Sequence, residues 1–303
     1  MHPAELAILL HRALEVRLAG LQTLLAAVDW AEEEEPLHQV RVSARRLGAV
    51  LDLVDPEAYP GHKGQRRALK RLVDILGLPR ELDVHAAQLE QRRRSASASV
   101  QGAVLEHLLE RVDRDRAKAR RAMHKELEDL RLPDLDRLLD VPSLPSPFQH
   151  LSLQEAAWTC LEPRAKGALG DLAALALQED APALHKARVR IKKLRYAVES
   201  LEGAFAVAPE ALLRDLRTLQ TALGEHHDLA ALEALLWEEE GQLRTRERRL
   251  LAGGVLELLG DVAELRRSAF GRFTVAAASQ DPAAFARTVR PALGLPPSEA
   301  SPQ

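Results

Sequence analysis

Histidine, arginine and lysine recur in this chain at spacings that set them along one side of a helix, where they can grip an anion. LHQVRVSARRLGAVLDLV begins at Leu37 and LHKARVRIKKLRYAVESL begins at Leu184, 147 residues later. In register, His38 falls on His185, Arg41 on Arg188, Arg45 on Lys192, Arg46 on Lys193 and Leu47 on Leu194. At about 100° per residue, Ala187, Ile191, Leu194, Val198 and Leu201 gather on one side of the second helix. His185, Arg188, Lys192, Arg195 and Tyr196 gather opposite them. In the first helix Val40, Ala44, Leu47, Leu51 and Val54 make the core face, and His38, Arg41 and Arg45 point away from it. Six cations stand between Lys186 and Arg195 with no acid among them. Like charges three and four positions apart cost a helix a few tenths of a kcal/mol per pair, a cost that a solvated face usually avoids by interspersing Glu. Unpaired cations repeated at one register therefore point to a ligand that brings the negative charge. The competing reading is internal neutralisation by acidic helices such as the one carrying Glu238 to Glu240.

A second pair of segments lies at the same offset. LKRLVDILGLPRELDV from Leu69 matches LRTLQTALGEHHDLAA from Leu216, with Lys70 on Arg217, Gly77 on Gly224 and Glu81 on Asp228. Arg120 likewise falls on Arg267. Two motifs sharing one offset imply a tandem duplication. Gly77 and Gly224 are expected to end helices as left-handed caps, with Glu81 and Asp228 near the start of the helices that follow. Glu225, His226, His227 and Asp228 form a suggestive cluster, but adjacent residues on a helix point in different directions. No H-x-x-x-H or H-E-x-x-H spacing occurs, so neither a metal nor a cofactor is expected.

The elements that must position these residues are helices. Leu, Ala, Arg and Glu dominate, aromatics make up only 3%, and the expected class is all-α. Helices are predicted from Pro3 through Leu25, from Pro36 to Asp55, and at about 63–77, 81–94, 100–131, 152–178, 182–203, 209–223, 226–241 and 246–270. Three prolines in VPSLPSPFQH mark residues 141–150 as a linker between a first half (1–140) and a second (151–280), with 281–303 as a C-terminal tail. SerAlaSerAlaSer at 95–99 reads as a shorter connection. The formal net charge of -3 means that any polyanion site must come from segregated charge. Cys160, the single cysteine, suits a reducing compartment and a core position. With no membrane span and no signal peptide in the pattern, a cytoplasmic location is expected.

The repeated motifs resemble the CHAD family, the conserved histidine α-helical domain. The resemblance rests on LHQVRVSARRL, LHKARVRIKKLRYAVE, LGLPRELDV and LGEHHDLAAL, and covers roughly residues 5–275. It implies a stand-alone member with two pseudo-symmetric helical bundles and a basic cavity or groove between them. It further implies non-catalytic binding of inorganic polyphosphate and association with polyphosphate granules. The polyphosphate-binding residues carried over are His38, Arg41, Arg45, Arg46, His185, Arg188, Lys192, Lys193, Arg195 and Tyr196. Lys70, Arg80 and Arg217 join them from the second motif, followed by Arg120 and Arg267. Gly48 departs from the family pattern where the second half has Arg195, which implies a site weighted towards the second half. His227 and Asp228 replace an Asn-Asp pair, and Glu81 replaces Asp. Polyphosphate offers a flexible line of charge with no bases, so a binder needs Arg forks and Lys point charges with little aromatic surface. Nucleic-acid stacking would want interleaved aromatics, and only Tyr196 qualifies. The alternatives are a scaffold for acidic proteins or nucleic acid, and a phosphoanhydride-processing enzyme. The enzyme would need metal-holding carboxylates beside the cations. Protonation of His38 or His185 is expected to strengthen binding as pH falls through about 6.5.

Overall fold

The computed structural model describes residues 5–28, 34–54, 61–95, 100–130, 148 and 150–297. Among them there are helices and turns and no strand, so the fold is all-α. The helices are α1 (Glu5–Ala27), α2 (Glu34–Leu51), α3 (His62–Ile75), α4 (Gly77–Ser95), α5 (Val100–Glu128), α6 (Leu153–Leu169), α7 (Leu172–Leu175), α8 (Ala181–Ser200), α9 (Glu210–Thr245), α10 (Arg249–Ala277) and α11 (Pro282–Ala292). The start of α2 and the start of α8 lie 147 residues apart, the offset of the sequence motifs. Most of the expected linker, 141–147 and Gln149, lies outside the described residues, as do Pro3, Asp55, Pro56 and residues 96–99.

Local chemistry accounts for the helix starts that matter. Ser152 caps α6 in a capping box, its hydroxyl accepting from the Glu155 N–H while the Glu155 carboxylate accepts from the Ser152 N–H. Asp180 caps α8 by accepting from the Ala183 N–H, with Pro182 in the first turn. That cap fixes the register of His185, Arg188 and Lys192 along α8.

The expected core faces are buried. Val40, Leu47, Leu51, Ile191, Leu194, Val198 and Leu201 are all fully inaccessible. Truncating one of these leucines to Ala costs about 2–5 kcal/mol. Cys160 is buried as well, and burial pushes its thiol pKa up. The apolar interior forms two clusters. The larger takes residues from α1, α2 and α3 and from α6, α8, the first part of α9 and α11. The smaller takes Leu89, Val104, Leu105, Leu108 and Val112 together with Leu232, Leu236, Val255 and Val262. Each cluster thus draws on both sequence halves, and α9 runs through both.

Three expectations are corrected. The predicted helices at 209–223 and 226–241 are one continuous α9 through Gly224, because nothing in Glu225–Asp228 stops a helix. In the first half Pro79 does stop one: its ring would clash with the carbonyl of Ile75 and it has no N–H to donate, so α3 ends at Ile75 and Pro79 sits in the first turn of α4. Second, neither Gly77 nor Gly224 is left-handed; the positive-φ glycines among the described residues are Gly61 and Gly294. Third, residues 281–303 do not read as a tail throughout. Asp281 caps α11 by accepting from two backbone N–H groups, and the (i, i+4) pair Phe285 and Val289 is buried.

Candidate functional site

The cations of α2 and α8 meet in one cavity of about 370 Å³. From α2 come His38, Arg41, Val42 and Arg45; from α8 come Arg188, Lys192, Arg195 and Tyr196. The start of α4 adds Gly77, Arg80, Glu81, Val84 and His85. The continuous α9 adds Gln220, His227, Asp228 and Ala231, spaced so that they share one helix face. The lining thus holds six cations against two carboxylates. Among the described residues no carboxylate oxygen lies within 4.0 Å of a side-chain nitrogen of Arg41, Arg45, Arg80, Arg188 or Lys192. The acids named as neutralisers in the competing reading are used elsewhere. Glu238 and Glu239 pair with Arg111, and Glu240 pairs with Arg244.

The two glycines matter for close approach. A Cβ at Gly77 would lie 3.1 Å from Nη1 of Arg41, and one at Gly224 would lie 3.6 Å from Nε of Arg188. Each glycine therefore leaves room for the equivalent arginine to lie against the neighbouring helix. Arg41 donates to the Val73 carbonyl in the last turn of α3, whereas Nε of Arg188 is buried and makes no hydrogen bond. Arg195 lies 3.7 Å from Glu199 and over the Tyr196 ring at 4.9 Å.

Crowded, half-buried cations suppress one another's charge. Burial, reinforced by Arg188, Arg45, Arg41 and Arg195, pulls Lys192 down to about 7. Burial and Arg45 lower Arg41 to about 10. His227 is pushed down to about 4 by burial and then by Arg188, and burial alone takes His85 to about 4. His38 and His185 are also lowered, chiefly by burial. The carboxyl of Asp228 is raised by burial, against the pull of Arg188, Lys192 and Arg80. In the free protein the two repeated histidines therefore take up a proton less readily than the expected midpoint of about 6.5 assumes. His185 is exposed and outside the cavity, its ring packed on His227 with Nδ1 atoms 3.3 Å apart.

Not every residue of the predicted set reaches the cavity. Arg46 turns to a neighbouring groove of about 360 Å³ between α1 and α2, and sits 4.0 Å from Glu199. Lys70, Lys193, Arg217 and Arg267 are exposed outside the lining. Arg120 lies 3.6 Å from the buried carboxylate of Asp83, which Arg116 also holds at 2.9 Å, so it belongs to a structural ion cluster. Tyr196 lines the cavity but is buried, with its ring already covered by Arg195. Missed in the sequence were Glu81 and Asp228, read there as helix-start residues, and His85, Gln220 and His227. The Gln220–Gly224–His227–Asp228–Ala231 spacing is the signal that gives the α9 group away, once α9 is seen as unbroken. Among the described residues no group of three or more His, Cys, Asp or Glu could hold a metal ion.

The profile of the CHAD domain matches residues 12–237. A search of curated proteins finds no match. Among solved structures, PptA from Streptomyces chartreusis aligns with a TM-score of 0.66 at 20% identity, covering 88% of this chain and 97% of that one. The CHAD domain from the plant Ricinus communis aligns with a TM-score of 0.64 at 24% identity, covering 88% and 91%. At these identities the likeness is one of fold.

Proposed function

Because the chain belongs to the CHAD family, we propose that its central cavity binds inorganic polyphosphate without turning it over. The observation that carries this reading is the convergence of Arg41, Arg45, Arg80, Arg188 and Lys192 in one cavity with no carboxylate among the described residues paired to any of them. Such a cluster costs free energy while empty, and a linear polyanion relieves it at every arginine in turn. Arg forks can hold successive phosphoryl groups bidentately, and Lys192 regains its full charge when an anion arrives. The cavity offers charge but little stacking surface, which favours polyphosphate over single-stranded nucleic acid. No helix among the described residues is long and apolar enough to cross a membrane. Location in the cytoplasm and association with polyphosphate granules belong to the same proposal.

The test is a titration of the purified protein with medium-chain polyphosphate at several salt concentrations, with duplex DNA as competitor. The expected result is tight binding that weakens with salt and that an equal charge of DNA fails to displace. Displacement by DNA or by an acidic peptide points to the scaffold alternative. Release of phosphate from the polymer in the presence of Mg²⁺, at a rate that tracks protein concentration, overturns the non-catalytic part.

A further inference from the structure

We infer that Lys192 is an acylation site, its amine taking the acyl group of a small acyl phosphate whose phosphoryl end is held by the surrounding arginines. The inference rests on the reading of the cavity as a phosphate site and adds a reaction to it. Lys192 is half-buried in the wall of the 370 Å³ cavity. Arg188 lies one turn before it and Arg195 one turn after it on α8. Across the space, α2 presents Arg41 and Arg45, α4 presents Arg80 and Glu81, and α9 presents His227 and Asp228. A lysine desolvated and ringed by cations keeps a nucleophilic free amine near neutral pH, in keeping with its lowering to about 7. The arginines that disfavour the ammonium form are the groups that recognise a phosphoryl anion, so one arrangement both activates the nucleophile and docks the leaving group.

In the step, the Nζ lone pair forms a C–N bond to the acyl carbon and the C–O bond to phosphate breaks. Inorganic phosphate leaves with the electron pair, and the proton from nitrogen passes to phosphate or solvent. The product amide is neutral, so the cavity loses one cation and holds polyphosphate more weakly. Lys186 and Lys193, exposed on the same helix, are internal references.

The experiment treats the full chain with acetyl phosphate between about pH 6 and 9.5 and follows each lysine by peptide mass spectrometry. Acetylation of Lys192 should exceed that of Lys186 and Lys193 by about tenfold or more near pH 7.5. It should saturate with acetyl phosphate, slow on adding inorganic phosphate, and level off above about pH 8. With acetic anhydride, which has no phosphoryl group, both the saturation and the phosphate protection should vanish. Equal rates at the three lysines, or no effect of phosphate on Lys192, overturn the inference. Selective, saturable acetylation without polyphosphate binding removes the polymer reading alone. Tight polyphosphate binding without selective acetylation removes the acylation alone.

Discussion

Arg41 and Arg188 hold the same register in the two halves, yet Arg41 is tied to the Val73 carbonyl and Nε of Arg188 holds nothing. The cause lies one helix away. Pro79 ends α3 at Ile75, and the last carbonyls of a helix lack intrahelical partners, so that of Val73 is open to a donor. The equivalent stretch of α9 is unbroken, and its Gln220 carbonyl stays inside the helical ladder. A similar contrast stands two turns on. Where the second half places Arg195 in the cavity, the first has Gly48, beside which sits Arg66, donating to both carboxylate oxygens of Asp52 at 2.6 and 3.0 Å. Two stretches of matching sequence thus contribute unequally, because a helix break and an internal ion pair occupy donors on one side.

The sharpest way to break the comparison is charge reversal at the matched arginines. Arg188→Glu should lower polyphosphate affinity by roughly a hundredfold or more with helicity unchanged by circular dichroism, as expected when a charged anchor is reversed. Arg41→Glu should cost roughly tenfold, since that side chain already spends a donor on Val73; equal losses would dissolve the distinction.

Next in size is pH. Lys192 titrates at about 7 in the free protein, and a bound polyanion raises that value, so binding takes up a proton. Affinity should therefore rise as pH falls from about 8 to about 7, by roughly tenfold in all, and be level on either side of that window. Lys192→Arg should flatten the profile. The sign for folding is opposite. Because the folded pKa is depressed, the unfolded chain binds more protons between about 7 and 10.5, and this group makes the unliganded fold more stable as pH rises through that window. Thermal melts with and without polyphosphate would show the two slopes diverging.

Gly77→Ala should weaken binding severalfold, because its Cβ would press on Arg41 at 3.1 Å, while Gly224→Ala, at 3.6 Å, should be tolerated. Its helix-interior position should even add up to about 1 kcal/mol of stability, read from the melting midpoint. The smallest effects belong to Lys70→Glu and Arg217→Glu, exposed outside the lining. Less than about a twofold loss is expected at moderate salt. A loss matching that of Arg188→Glu would mean that the polyanion runs along the outer surface.

How far the sequence discloses this site follows from what kind of information each part needs. Leucine spacing gives the helices and their buried faces directly, since Leu47 and Leu194 can face only the core. The repeat gives the cations of α2 and α8, because registered Arg and Lys without acids are visible in one dimension. Which cations are already engaged is not visible there. Arg120 meets Asp83 and Arg46 nears Glu199 only through tertiary packing, across separations no local pattern encodes. Gly77 and Gly224 misled for a related reason. Glycine before a helix start reads as a cap, whereas here the missing side chain makes room for an arginine from another helix.

One feature of α9 has a mechanical side. At 36 residues it is about 54 Å long, and it passes through both apolar clusters, so it acts as a strut across the cavity. The first-half wall formed by α4 meets the end of α3 in a joint at Leu76 and Gly77. Bending an unbroken helix anchored at both ends costs packing and ladder bonds together, whereas a joint turns on a few backbone angles. Any widening of the aperture to admit a bulkier anion should therefore fall at the α3–α4 joint, with the α9 wall held fixed.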